Sequence, residues 1–312
     1  MTIQKKLLVL VDGSERSIQT VNYVKDFMPV DDNTQIVLFH VFSGISEEYL
    51  ELSDNPKCHS DVRILRERLV AHQRKNWQYI ERAKNILVSR GFSERLIEIK
   101  IQSLKQGVAR DIINEAKNGY SAVVLRRRGM GALKSIILGS VAVKLLQSLT
   151  FIPIIIVGQV PPVKKILFAV DTSPASMKAV EFAASLLGGR GYEACVFHAI
   201  LNVWTIDSEL SGMNDLQMSN NFIEAFKSKA AITFKTVKDM LMKSGFESEK
   251  ISEKIITATS SRSGAIVEEA EDSGYSTIVV GRRGLSKIEA FFMGRVGHKV
   301  VYGGKKFTVW VV

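Results

Sequence analysis

The chain has 312 residues, 46% of them hydrophobic and 24% charged, which suits a soluble globular protein and gives length for about two domains with adequate cores. No apolar run reaches the roughly eighteen residues of a membrane span, and the two cysteines, Cys58 and Cys195, form neither a CxxC nor a Cys/His cluster, so a disulfide framework or structural metal has no support. The formal charge of +10 favours anionic company, whether nucleotide, nucleic acid or acidic lipid, although solubility alone explains it equally well.

Lys5 to Val11 is a near-continuous apolar run, the pattern of a parallel strand covered on both faces. The run mimics a signal peptide but ends in Asp12-Gly13-Ser14 without a small-residue cleavage site. It therefore reads as a first strand, and the protein as cytoplasmic. Ser14 or Ser17 can cap a helix carrying Ile18, Val21, Val24 and Met28 at helical spacing, ended by Pro29. Gln35 to Phe42 is a second strand, which makes a right-handed β-α-β unit. Ser43 to Ser60 is polar and irregular and is expected to be a mobile loop. A helix over Asp61 to Ser89 stops near Gly91, followed by a strand over Ile97 to Ile101, a helix over Val108 to Ala116, a strand over Ala122 to Leu125, a helix over Val141 to Ser148 and a strand over Ile152 to Val157.

Val160-Pro161-Pro162 reads as a stiff linker dividing the chain into 1–159 and 160–312. The second part repeats the order. Strands are expected at Lys165 to Val170, Glu193 to Ile200, Ile251 to Thr257, Thr277 to Val280 and Phe307 to Val312. Helices are expected from Pro174 to Leu187, Asn221 to Ser244 and Gly264 to Ser273, with Asn202 to Asn220 a loop. Each part is then a doubly wound α/β unit.

The segment with chemistry in its spacing is Thr277 to Arg295. An apolar strand runs into Gly281, and two residues separate it from Gly284, nine more from Gly294. A strand delivering a glycine loop to a helix is a phosphate-cradle pattern, because backbone N–H groups approach an anion closely only where no Cβ intervenes, and the helix N-terminus adds unpaired donors. A second copy spans Ala122 to Ser140. Gly129 and Gly139 lie 155 positions before Gly284 and Gly294, and both copies follow a Gly-Tyr-Ser, at Gly119 to Ser121 and Gly274 to Ser276. This is an internal duplication.

On these residues the chain resembles the universal stress proteins in a tandem arrangement. That family carries Gly-xx-Gly-x9-Gly-(Ser/Thr) after its fourth strand, and members with the intact motif bind ATP or AMP. The first copy has Arg126 in the leading glycine's place but keeps Gly129, Gly139 and Ser140; the second keeps Gly281, Gly284 and Gly294 but has Arg295 in the hydroxyl position. The resemblance implies two five-stranded parallel sheets of the adenine nucleotide alpha hydrolase type, order 3-2-1-4-5, paired through their fifth strands into an intramolecular pseudo-dimer, with further homodimerisation open. It also implies ligand contacts from Asp171, Ala199, Gly281, Gly284, Gly294, Arg295 and Val296 in the second half, and from Asp12, Val41, Gly129, Gly139, Ser140 and Val141 in the first. The expected ligand is ATP or AMP, with Mg²⁺ a candidate companion held by Asp12 or Asp171, and the second half is the favoured site because Arg126 can fill the first or itself bind phosphate.

Simpler readings stand beside these. Asp12 and Asp171 serve equally as turn formers or helix caps. Arg126-Arg127-Arg128 and Arg282-Arg283 read as a phosphate-attracting collar or a solvated loop. His40 and His198, at equivalent positions ending the second strands, read as core or rim histidines rather than metal ligands. The basic loops lack the interleaved aromatics that nucleic-acid binding uses, and no nucleophile elbow or acid/base carboxylate pair is present. The expected function is a nucleotide-binding stress-response sensor or regulatory module with an unidentified protein partner. The alternatives are a non-nucleotide interaction protein with both sites degenerate and a slow ATP hydrolase.

Overall fold

In the computed structural model the described residues are 5–42, 44, 51, 55, 57–127, 138–201, 215–282 and 294–312, without the side chains of 16, 215–221 and 258. The strands are β1 Lys5–Leu10, β2 Thr34–Phe42, β3 Ile97–Ser103, β4 Ala122–Arg126, β5 Ile154–Val157, β6 Lys165–Ala169, β7 Glu193–Leu201, β8 Ile251–Thr259, β9 Thr277–Val280 and β10 Thr308–Val311. The helices of three residues or fewer set aside, they alternate with α1 Glu15–Phe27, α2 His59–Ser89, α3 Val108–Ala116, α4 Ser140–Ser148, α5 Pro174–Leu187, α6 Asp215–Lys243, α7 Arg262–Asp272 and α8 Arg295–Gly303.

Each half has the order 3-2-1-4-5, but the two sheets are one. The strands run β3-β2-β1-β4-β5-β10-β9-β6-β7-β8, parallel within each half and antiparallel where β5 meets β10. Ile154 to Ile156 face Val311 to Val309, with Ile155 opposite Trp310. Both fifth strands are therefore central and buried. The free edges of the sheet are β3 and β8.

Alternation along the strands sends side chains to two faces. Leu7 and Val9 of β1 pack with α1, α2, α5 and α6 in one core cluster, while Leu8 joins α3, α4, α7 and α8 in the other. Both cores cross the junction. Trp310, fully buried, donates from Nε1 to the Tyr23 hydroxyl at 2.9 Å, and that hydroxyl lies 3.1 Å from Thr277 Oγ1. Phe27 stacks on Tyr23 at 4.9 Å between ring centres and meets Tyr192 edge-on at 5.2 Å. Each such aromatic pair is worth about 0.5–1.5 kcal/mol beyond the area it buries.

Three of the expected element bounds are corrected. Asp215 to Asn220 belongs to α6, not to a loop. The helix expected from Gly264 begins at Arg262, because Ser261 caps it, accepting from Gly264 N at 3.2 Å. The linker is pinned at its start, since the Gln159 and Val160 amides both donate to Lys306 O, at 2.7 and 2.9 Å. Of the expected loop over Ser43 to Ser60, residues 43, 45–50, 52–54 and 56 lie outside the described residues, and His59 and Ser60 belong to α2.

Candidate functional site: two unequal crevices

In a doubly wound sheet the crevice opens where the strand order reverses, outside the carboxyl ends of the strands. That point lies between β1 and β4 in the first half and between β6 and β9 in the second. The first crevice holds a cavity of about 670 Å³. Its walls are the end of β1 with Asp12, the start of α1 with Ser14, Glu15 and Ser17, the end of β2 with His40 and Val41, Val108 and Ile112 of α3, Arg126 at the end of β4 with Arg127 after it, and the start of α4 from Gly139 to Ala142.

The sequence explains each wall. Asp12 Oδ1 accepts from the Ser14 amide at 3.0 Å and the Ser14 hydroxyl at 2.6 Å, so it forms the turn as the simpler reading has it, while its exposed carboxylate still lines the cavity. Gly139 ends the loop as the N-cap of α4, and the amides following it have no intrahelical acceptor. They present donors and the positive end of the helix dipole to the cavity. Arg126 stands in the wall, half-buried and engaged by neighbouring groups.

Between β2 and α2, sequence reading caught only the histidine. His40 is 4% exposed, and its Nδ1 donates to Val11 O at 2.9 Å while Nε2 accepts from Asn76 Nδ2 at 3.2 Å. Burial pushes its pKa below the ordinary value, which keeps the ring neutral in that arrangement. Gly13, at φ +74°, makes the contact possible, because a Cβ there would meet Asn76 Oδ1 at 2.5 Å. The core reading of His40 is therefore the structural one. Among the described residues no group of three His, Cys, Asp or Glu side chains is placed to hold a metal ion.

The second crevice keeps the aspartate turn, the strand-two histidine and the glycine N-cap but differs at other walls. The ion pairs Lys100–Glu115 and Lys254–Glu269 are the same feature displaced by 154 positions (254−100 and 269−115). That register places Arg262 on Val108 and Ala230 on Asn76. Where Val108 offers the first cavity an aliphatic wall, Arg262 reaches across the end of β7 and donates from Nε to Ala199 O at 3.3 Å. Where Arg126 lines the first cavity, Gly281 lets the start of α5 close in: a Cβ there would meet Ala175 C and Ser176 N at 2.8 Å. The Gly294 amide, which caps α8, donates to Arg282 O at 2.5 Å. Asp171 accepts from the Ser173 amide at 3.0 Å and from its hydroxyl, and the Asp171 amide donates to Ser176 Oγ at 3.0 Å. Arg295 is exposed, Val296 is half-buried against the core, and His198 Nδ1 bonds Val170 O at 2.7 Å. Gly129 and Gly284, with Arg128 and Arg283, lie outside the described residues.

The arginine collar is corrected outright for two of its members. Arg127 and Arg282 are 4% and 7% exposed and point into the opposite half. Arg282 donates from Nη1 to Leu146 O at 2.8 Å and from Nη2 to Leu149 O at 2.7 Å, at the C-terminus of α4. Arg127 donates from Nη1 to Val301 O near the end of α8. The two contacts are related by the same 155-residue displacement (282−127 and 301−146). A cation at a helix C-terminus meets the negative end of the dipole. Burial without a neighbouring carboxylate nevertheless pulls the Arg127 pKa down to about 10. No sequence signal separated these buried arginines from Arg126 beside them; only the strand's alternation, carried one residue past its end, distinguishes the two.

A model of the universal stress protein family matches residues 4–158 and again 162–312. The curated universal stress protein YxiE of Bacillus subtilis is 28% identical over 140 residues, 44% of this chain and 90% of that protein. Two solved structures match over 99% of the chain: a universal stress protein from Archaeoglobus fulgidus, with 21% identity, 98% of that chain covered and a TM-score of 0.57, and the functionally unknown protein PA1789 from Pseudomonas aeruginosa, with 14% identity, 92% covered and a TM-score of 0.55. No described helix is long and apolar enough to cross a membrane. The repeated glycine motif, the paired 3-2-1-4-5 sheets and the double match of the family model place the chain in the universal stress protein family, as a tandem of two such domains.

Proposed function

We propose that the first half binds an adenine nucleotide, ATP or AMP, and that the chain acts as a nucleotide-responsive regulatory module in a stress response. The observation that carries this is the convergence of Asp12, Val41, Gly139, Ser140 and Val141 on one cavity of about 670 Å³. These are the described members of the set that the family resemblance assigns to the first half. The α4 amides suit the phosphates, Arg126 adds positive charge, and the aliphatic Val41 and Val108 suit a base. Asp12 is the carboxylate available to a Mg²⁺ that accompanies the phosphates.

The corresponding second-half set of Asp171, Ala199, Gly281, Gly294, Arg295 and Val296 is the weaker candidate. Arg262 crosses the end of β7, and the Gly294 amide already has an acceptor. The assignment therefore moves from the second half, favoured by motif completeness, to the first, favoured by open walls. The test is a mass spectrum of the purified, denatured protein, with ATP titration of the nucleotide-free chain. Released adenine nucleotide or saturable ATP binding supports the proposal; neither at millimolar ATP contradicts it.

A further inference from the structure

The two junction arginines look like a symmetric clamp but are chemically unequal. Arg282 places both terminal nitrogens on carbonyl oxygens. Arg127 bonds only Val301 O, and its Nε and Nη2 are closed off from solvent with no hydrogen-bond partner among the described residues. Arg127 is also a wall of the first cavity. A buried guanidinium with idle donors is in an unfavourable state that an anion relieves, because charge-assisted bonds to phosphate are stronger than a bond to a neutral carbonyl.

We propose that Arg127 is a further anion ligand of the first crevice and that its engagement couples that crevice to the second half, an inference that rests on the nucleotide reading above. The idle donors have no solvent access, so the side chain reaches an anion in the cavity only by swinging, and swinging gives up Val301 O. Val301 belongs to α8, whose other end is capped by Gly294 of the second glycine motif. Occupancy of the first crevice thus frees the C-terminal turn of the helix that heads the second. Arg282, with its terminal nitrogens satisfied and anchored on α4, remains fixed and holds the two halves together. The ligand class is a polyanion with phosphate at the α4 end of the cavity, and the response is a change in α8 more than 150 residues away in sequence.

The test follows backbone amide exchange of α8 in the full-length chain while ATP, or inorganic tripolyphosphate as a base-free anion, is titrated. The expected result is faster exchange at Val301 to Gly303 on binding, several-fold over the free protein, and loss of that response in Arg127→Gln together with a weaker Kd. Tyr23→Phe, which breaks a junction bond away from the cavity, is expected to lower Tm while leaving both Kd and the α8 response intact. Should Arg127→Gln fold poorly, Arg127→Lys serves: it keeps the charge, loses the fork, and is expected to bind with a reduced α8 response. ATP bound with α8 silent, or an α8 response unchanged in both Arg127 variants, overturns the inference. Tripolyphosphate eliciting the response where ATP does not bind upholds the inference and removes the nucleotide reading; neither anion binding removes both.

Discussion

The two crevices began as copies of one design and now differ in what their walls contribute. The second keeps the complete glycine spacing in sequence, yet its rim is occupied by Arg262 on Ala199 O, by α5 packed against Gly281 and by the Gly294 amide bound to Arg282 O. The first lost its leading glycine to Arg126, yet lines a cavity of about 670 Å³. A glycine that permits close backbone approach permits it for any backbone, including that of a neighbouring helix, and at Gly281 the backbone that approaches is α5.

The comparison is broken most strongly by exchanging walls. Val108→Arg installs the second half's arginine in the first crevice; ATP affinity measured by calorimetry is expected to fall by about a hundredfold or more, roughly 2.7 kcal/mol. The reverse change, Arg262→Val, is expected to leave first-half binding intact. Next in size is Gly281→Ala, whose methyl would overlap the α5 backbone at 2.8 Å. A loss of about 1–3 kcal/mol in denaturant unfolding is expected, against little change for Arg126→Ala, which removes a side chain from a cavity wall.

Smaller again is Asn76→Ala, which strips the donor from His40 Nε2. Its expected cost is about 1 kcal/mol. The position that corresponds to Asn76 in the second half is already Ala230. The last difference depends on pH. The folded-state pKa of His40 lies below its ordinary value, so the unfolded chain takes up the proton first. Stability from neutral His40 is full above about pH 6.5 and declines below it, by at most about 1.4 kcal/mol per pH unit until the folded pKa is reached. The protection factors of the β2 amides, corrected for the intrinsic pH dependence of exchange, are expected to fall between pH 7 and 5.5, and His40→Gln to flatten that dependence.

Much of this was legible in the sequence. The strands declared themselves because parallel strands buried on both faces read as unbroken apolar runs, Lys5 to Val11 and Ile152 to Val157 among them. The duplication fixed the domain order, and the motif fixed which strand ends bear the crevices. What escaped were pairings between residues far apart in the chain. Val108 and Arg262 are unremarkable as first residues of helices until the fold lays them over the second strands. Arg127 and Arg282 read as a phosphate-attracting collar or a solvated loop because their acceptors, Val301 O and Leu146 O, are backbone atoms of the other half, which carry no mark in the residue sequence.

The first crevice is the proposed nucleotide site in preference to the second. Amide-exchange mapping of the full-length chain with and without saturating ATP tests it most directly. The account predicts protection at Asp12 to Ser14 and Gly139 to Ala142, with Asp171 to Ser173 unchanged. Protection confined to Asp171 to Ser173 and Gly294 to Gly297, or none in either crevice, would contradict it.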